Sequence, residues 1–460
     1  MDSDKAAKYL EKFLAQLSST KMGNPVQNFL GAYDMRPAKS LWPTIATILL
    51  AIAIAPTYAQ DLPDVSGPLV GHTTESTVTI WMYAPMDSKV ELIIQEEADE
   101  SNEVRVALVA VPDSAGKLGG MPFKATSQHL KPNTSYNFQV NVDGKFKSSR
   151  KGSFKTAPDK GKSTKFRVAV TSCMKIGQPQ KSWELLLAEK PDLHITLGDT
   201  HYGDSTDPTT QWKHHLRYRV VPEFDAVMSA IPNYAMWDDH DYGPNNSDGT
   251  AEGKENSLVG WNQFWGNPDS GTEDTPGAFY KFTWGDVDIF MVDGRYHRSP
   301  DNAPDDDKKR MLGDGQFAWL LDGLTKSKAK FKVIASGSTL ADSKSDGWRI
   351  YTFSRHRLFD AIKENKISGV LYMSGDVHRS RVWTHPESDR VGYPFIEVVS
   401  SGVANSKTLS YATVDFDTTA ADPTVRVRIV HGDGETHDDQ TWKLSELTAK
   451  EVDIDVVPEK

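Results

Sequence analysis

Leu193-His194-Ile195-Thr196-Leu197-Gly198-Asp199-Thr200-His201-Tyr202 reads as a short apolar strand that stops at Gly-Asp and then delivers a tyrosine. Three other segments repeat the arrangement. Phe166 to Val170 leads into Thr171-Ser172-Cys173, Asn233 to Met236 into Trp237-Asp238-Asp239-His240-Asp241, and Ser368 to Met373 into Gly375-Asp376-Val377-His378. In open α/β sheets, ligands bind beyond the carboxyl ends of the strands. Four such ends carrying Cys, Tyr, His and several Asp predict one polynuclear metal centre.

Around these segments, residues 164–450 alternate strands and helices, an α/β pattern. Helices are expected over Ser182 to Glu189, Thr210 to Ala230, Gly315 to Leu324 and Arg355 to Lys366. A hairpin is expected across Gly285-Asp286, and further strands over Phe331 to Ala335, Pro394 to Val399, Ala412 to Phe416 and Val425 to Val430. Two mixed sheets face to face with helices outside is the economical arrangement. Ser299 to Arg310 reads as a solvated surface loop, His194 as a core residue, and His214 and His215 as helix-surface residues.

Residues 61–158 differ. They show strand alternation at Ser76 to Tyr83, Lys89 to Ile94 and Tyr136 to Val142, with a turn expected at Asp143-Gly144. Leu130 to Tyr136 resembles the tyrosine corner of fibronectin type III sandwiches. Pro158 to Ser163 reads as the linker. Residues 1–59 read as an N-terminal extension and signal peptide: Arg36 and Lys39, an apolar region over 41–55, and a small-x-small cleavage site at Ala59. Met35 would be a normal start for it. The apolar run is short for a spanning helix, so a secreted or periplasmic protein is expected, with an uncleaved anchor as the alternative.

The chain has 460 residues and one cysteine, which excludes an internal disulfide. A lone thiol in an oxidising compartment is best buried or bound to metal. The net charge of −11 and the lack of a basic block argue against nucleic-acid binding. Clustered cations suit the hydrolysis of phosphate esters, because they acidify a water and neutralise the equatorial oxygens. Asp199 can bridge two metals, Tyr202 can offer a phenolate to a ferric ion, and Asp239 and Asp376 supply hard oxygen ligands. His240 is the natural general acid, with Asp238 and Asp241 orienting it. Arg217 and Arg219, on the helix before the third motif, are candidates for binding substrate phosphate.

The four motifs resemble the metallophosphatase superfamily, and within it the PhoD-like, or alkaline phosphatase D, family. Cys173 stands where the superfamily has Asp-x-His, Tyr202 replaces the second Asp of Gly-Asp-x-x-Asp, and Trp237 to Asp241 replaces Gly-Asn-His-Asp. Gly375-Asp376-Val377-His378 replaces Gly-His-x-His. The likeness extends over Val292 to Arg298 and Leu312 to Trp319, and covers roughly residues 64 to 430. It implies a metallophosphatase-like αββα sandwich preceded by a fibronectin-III-like all-β domain. It also implies Fe³⁺ held by Cys173, Asp199, Tyr202 and His378, and two Ca²⁺ served by Asp199, Asp239 and Asp376. Asn245 or Asn246 is an additional metal candidate, set off from Asp241 by a longer spacer, Tyr242 to Pro244, than many relatives have. The expected activity is phosphodiesterase or phosphomonoesterase, with metal-activated hydroxide attacking phosphorus and His240 protonating the alkoxide. The substrate would be a small-molecule, lipid or polymer phosphate ester. A phospholipase D-like phosphodiesterase and a non-catalytic binding protein with a vestigial site are the alternatives.

Overall fold

The computed structural model describes residues 62–111, 118–143, 147–341 and 346–449, all within one compact unit, Gln60–Lys460. The expected signal peptide, the start at Met35 and the turn residue Gly144 lie outside the described residues. No helix among the described residues is long and apolar enough to cross a membrane.

The first seven strands are β1 (Ser66–Thr73), β2 (Val78–Pro85), β3 (Lys89–Glu96), β4 (Asp99–Ala110), β5 (Gly120–Ser127), β6 (Ser135–Asp143) and β7 (Ser148–Lys155). They pair antiparallel in the order β1-β2-β5-β4-β3-β6-β7. The long β4 pairs with β3 and, through Val109 and Ala110, with β5. Alternate side chains turn inward as the pleat requires. Val70, Ile80 and Met82 from one half meet Leu92, Ile94, Phe138 and Val140 from the other in a core of their own. Tyr136 Oη accepts the Lys131 N–H at 2.9 Å, and its ring stacks on Phe154, which fixes the corner before β6.

Two six-stranded mixed sheets follow. The first contains β8 (Lys165–Thr171), β9 (Leu193–Leu197), β10 (Asn233–Met236), β17 (Ser410–Asp417), β18 (Thr424–His431) and β19 (Thr436–Lys443), in the order β10-β9-β8-β17-β18-β19. The second contains β11 (Tyr280–Trp284), β12 (Val287–Met291), β13 (Phe331–Ala335), β14 (Val370–Ser374), β15 (Arg381–Thr384) and β16 (Ile396–Val399), in the order β11-β12-β13-β14-β16-β15. Their parallel strands are buried along their length and mainly apolar because both faces are covered. Phe166 lies 6.3 Å from Trp284, and Phe331 lies 5.5 Å from Phe416, so the sheets pack face to face.

Helices close the outer faces. On the first sheet these are α1 (Ser182–Ala188), α2 (Pro208–Arg219) and α3 (Pro222–Ala230); the single helix expected over Thr210 to Ala230 is broken in two at Pro222. The one-turn α4 (Asp239–Tyr242) and α5 (Lys254–Phe264) come next. On the second sheet, α6 (Asp314–Lys326) buries Phe317, Leu320 and Leu324, and α7 (Thr352–Glu364) buries Leu358, Phe359 and Ile362. The loop of residues 299–310 is exposed over much of its length but pinned at both ends. Arg298 and Tyr351 hold Asp301, and the Lys309 ammonium, itself buried, donates to the Asp301 carbonyl.

The β-sandwich is tied to these layers by backbone proximity. His72 N donates to Gly266 O at 2.6 Å, and a Cβ on Gly71 would stand 2.4 Å from that same oxygen. Trp81 packs on Phe264 and donates its Nε1–H to Gln263 O at 2.8 Å. Arg219 corrects an expectation here. Its buried guanidinium lies between the Trp81 and Trp265 rings, at 4.4 and 4.6 Å, and donates to Phe264 O, so it clamps the sandwich instead of standing on an open helix face. His215, expected on the helix surface, is buried against Phe264 with the rings stacked at 4.7 Å. Overpacking a tight contact costs about 1–3 kcal/mol. Gly71→Ala is therefore expected to lose stability in denaturant unfolding by that amount, and an unchanged midpoint would contradict the backbone contact.

Candidate metal centre

The first sheet ends its strands β8, β9 and β10 at Cys173, Asp199 and Asp238–Asp239, and the facing sheet ends β14 at Asp376. The loops meet because small residues let them. A Cβ on Gly375 would stand 2.4 Å from Leu197 O, and one on Gly198 would stand 2.4 Å from Asp238 Cβ. Cys173, Asp199, Asp376 and His378 all have left-handed backbones, with φ of 60°, 52°, 72° and 54°. Strained non-glycine residues of this kind cluster at functional sites. The strain is held by hydrogen bonds from Cys173 N to Gly198 O and from Met174 N to Asp199 O.

Three sets of side chains each bring their donor atoms within 4.8 Å of one another: Cys173, Asp199 and His378; Asp199, Asp239 and His240; Asp238, Asp239 and Asp376. Asp199 belongs to the first two sets and Asp239 to the last two, so the sets form one continuous row. Tyr202 joins the first, its hydroxyl donating to Asp199 Oδ2 at 3.2 Å and lying 3.3 Å from His378 Nε2. The Cys173 thiol donates to the same Asp199 oxygen at 3.3 Å.

Burial pushes the Asp199 carboxyl well above its usual range, and repulsion from Asp239, Asp238, Asp241 and Asp376 adds to it. Asp376 is raised in the same way, by burial and then by Asp238, Asp346 and Asp239. Burial also raises the Cys173 thiol and the Tyr202 phenol. Asp199 Oδ1, Asp238 Oδ2 and Asp239 Oδ1 are buried without a hydrogen-bond donor. Buried carboxylates that repel one another and lack donors are costly unless cations satisfy them. One end of the row offers sulfur, phenol and imidazole, and the other only carboxylates, which suits metals of different hardness. These residues fit a multinuclear metal centre.

The surroundings depart from the sequence reading in one respect. Asp238 and Asp241 do not orient His240. The His240 Nδ1 lies 2.6 Å from Asp204 Oδ1, and Asp204 N donates to the His240 carbonyl at 3.2 Å. Asp241 instead accepts from Thr200 Oγ1, His201 N and Asp238 N, and burial pushes its carboxyl up to about 7. Asp238 accepts from Arg295 Nε at 2.6 Å and leaves its other oxygen to the third set. Arg295, fully buried, is bidentate to Asp346, and Arg298 binds Asp346 as well. Asp293 accepts from Trp237 Nε1 and from Arg295 N, joining this support to the strand end before Asp238.

Asn246 reaches Asp239 through its backbone N–H at 2.7 Å, while the Asn245 side chain donates to Asn246. Arg217 is exposed on α2, and no contact with the donor row is seen for it among the described residues. His194 is a core residue bonded to Thr171 and Asn233. Residues the sequence reading missed are Asp204, Arg295, Asp346, Ser401 and Asn405. Ser401 Oγ lies 3.1 Å from Cys173 Sγ and accepts from His378 N, and Asn405 Nδ2 lies 2.7 Å from Tyr202 Oη. Only Arg295 carried a signal, as part of the Val292 to Arg298 stretch.

The family model described as PhoD-like phosphatase matches residues 168–441, the stretch that contains every one of these donors. The chain belongs to the PhoD-like phosphatase family. Alkaline phosphatase D of Bacillus subtilis (strain 168) is 23% identical over 321 residues, 55% of this chain and 55% of that protein. The chain thus spans about half the length of that curated relative. Among solved structures, one described as PhoD aligns with a TM-score of 0.66 at 17% identity, covering 85% of this chain and 95% of that one. A purple acid phosphatase from yellow lupin (Lupinus luteus) seeds aligns at 0.61 and 13% identity, covering 82% and 74%. Both likenesses concern the fold alone.

Membership in this family, with the donor row, implies bound metal ions. A ligand present at a hundredfold its Kd stabilises by about 2.7 kcal/mol. Chelation is therefore expected to lower the Tm of the loaded wild-type chain. Asp199→Asn removes a repelled carboxylate, so its metal-free form should be at least as stable as metal-free wild type, with the chelator-dependent shift lost. A full shift retained in that variant would remove Asp199 as the shared ligand.

Proposed function

We propose that this chain is an exported metal-dependent phosphoric ester hydrolase acting on phosphodiesters or phosphomonoesters, its β-sandwich a fibronectin-III-like domain. The observation that carries this reading is the continuous row of donors sharing Asp199 and Asp239, with His240 at one side of it. Cys173, Asp199, Tyr202 and His378 would hold a ferric ion, and Asp199, Asp239 and Asp376, with Asp238 added, two calcium ions. Bound there, the ions would acidify a water and neutralise the ester oxygens.

The chain's own residues supply the rest. His240 donates the proton to the leaving alkoxide from its Nε2, because Nδ1 is engaged by Asp204. Asp204 acts through His240, fixing the ring's orientation and tautomer from both the side chain and the backbone. Arg295 offsets part of the negative charge behind the row and keeps Asp238 in one orientation.

Metal analysis of the exported chain is expected to find about one iron and two calcium, together with hydrolysis of p-nitrophenyl phosphate or its bis ester. No stoichiometric metal after reloading, and no hydrolysis, would end the reading. General acid catalysis contributes about 10²–10⁴-fold. Asp204→Asn should therefore slow esters of poorly leaving alcohols by roughly tenfold or more and p-nitrophenyl esters much less. Equal losses on both substrate types would count against proton donation by an oriented His240.

A further inference from the structure

Lys175 stands two residues beyond Cys173 on a segment that is not free to wander. Its N–H donates to Ala404 O at 3.2 Å, and Met174 and Ala404 form a parallel bridge. The loop after β8 is thereby strapped to the loop after β16, the loop that carries Asn405. The Lys175 side chain is exposed, with its Nζ 5.4 Å from the centroid of the Tyr202 ring and its charge within electrostatic reach of His378. Among the described residues no ion pair and no hydrogen bond of its ammonium is seen. Asn405 Nδ2, from the other side of the strap, lies 2.7 Å from Tyr202 Oη and 3.0 Å from His378 Nε2. An amide carries two N–H bonds. Tyr202 takes one, and the other now points at a nitrogen that is itself a candidate metal ligand.

We propose that Lys175 and the Asn405 amide form a clamp at the rim of the metal centre for the non-bridging oxygens of the substrate phosphate, favouring phosphomonoester dianions over diesters. This deepens the reading of the centre as a phosphate-ester site and rests on it. A monoester carries two charges over three non-bridging oxygens, and a diester one charge over two. A point cation at the rim therefore discriminates through charge, while the amide donates to an oxygen common to both. Lysine suits the first role, being a compact charge on a flexible stem. Lys175 makes no hydrogen bond to the donor row, so its removal is expected to leave the metals in place; Asn405 touches Tyr202 and His378, so its variant is read only alongside metal content.

The test uses the metal-loaded full chain and its Lys175→Met, Lys175→Arg and Asn405→Ala variants. The probes are p-nitrophenyl phosphate, bis(p-nitrophenyl) phosphate and inorganic phosphate, with phosphate binding followed by calorimetry and metal content measured in parallel. Loss of one charge-assisted contact is worth about tenfold. Lys175→Met is expected to raise KM for the monoester and Kd for inorganic phosphate by roughly that factor, leaving kcat and metal content near wild type and the diester within about threefold. Lys175→Arg should recover most of the loss, and Asn405→Ala should weaken both esters alike. Unchanged phosphate affinity in Lys175→Met would overturn the clamp, as would equal loss on both esters accompanied by lost metal, which would make Lys175 a support of the Cys173 loop. If wild type hydrolyses neither ester, the hydrolase reading fails, and the phosphate Kd of wild type against Lys175→Met still decides the clamp.

Discussion

Mutual repulsion among buried carboxylates is the constraint around which this protein is organised. Asp199, Asp238, Asp239, Asp241 and Asp376 converge at the ends of two facing sheets, and several of their oxygens lack any donor. Left alone, such a cluster would drive its loops apart or take up protons. Side-chain and backbone contacts resist the first. Arg295 is buried among them, bonded to Asp238 and bidentate to Asp346, and Arg298 braces Asp346 from the loop that follows β12. Left-handed backbones at Cys173, Asp199, Asp376 and His378 hold donor atoms where relaxed loops would not.

That tension explains why so much of the molecule is scaffold. Each site loop hangs from a strand buried on both faces, and a pair of packed sheets deforms little. The β-sandwich adds to the stiffness. Arg219 and Trp81 press it against α5, and α5 packs through Trp261 on Trp237, the residue immediately before Asp238. A contact made in the sandwich thus bears, through four aromatic side chains and one guanidinium, on a wall of the metal centre.

Much of this was legible in the chain itself. Strands β8, β9, β10, β13 and β14 announced themselves as short, mainly apolar runs, because strands covered on both sides have little polar face to show. The role of Tyr136 depends on a local contact, its hydroxyl accepting from the backbone N–H of Lys131, five positions away. What escaped depended on contacts distant in sequence. Strand β19, Thr436–Lys443, is a polar edge with alternating exposure and carries no hydrophobic period. Helix α5 buries Ser257 and Gly260 alongside its aromatics, which blurs its stripe. The packing of Arg219 between two tryptophans was not legible because an arginine's aromatic neighbours are invisible along the chain, and Asp204 looked like nothing in particular until the turn at Tyr202 carried it back to His240.

The pairing of β8 with β17 has a bearing on the order of synthesis. Strand β8 brings Cys173 to the site, yet one of its two neighbours in the sheet lies about 250 residues downstream, joined by the register Val168 to Val414 and by Arg167 on Asp415. A ribosome-bound chain that has emerged as far as His378 already displays every donor in the row, but the strand beneath the cysteine still has an open edge. Closure of long-range sheets is slow. The donors therefore become a fixed constellation only after nearly the whole chain has been made. The geometry of the centre belongs to the finished fold.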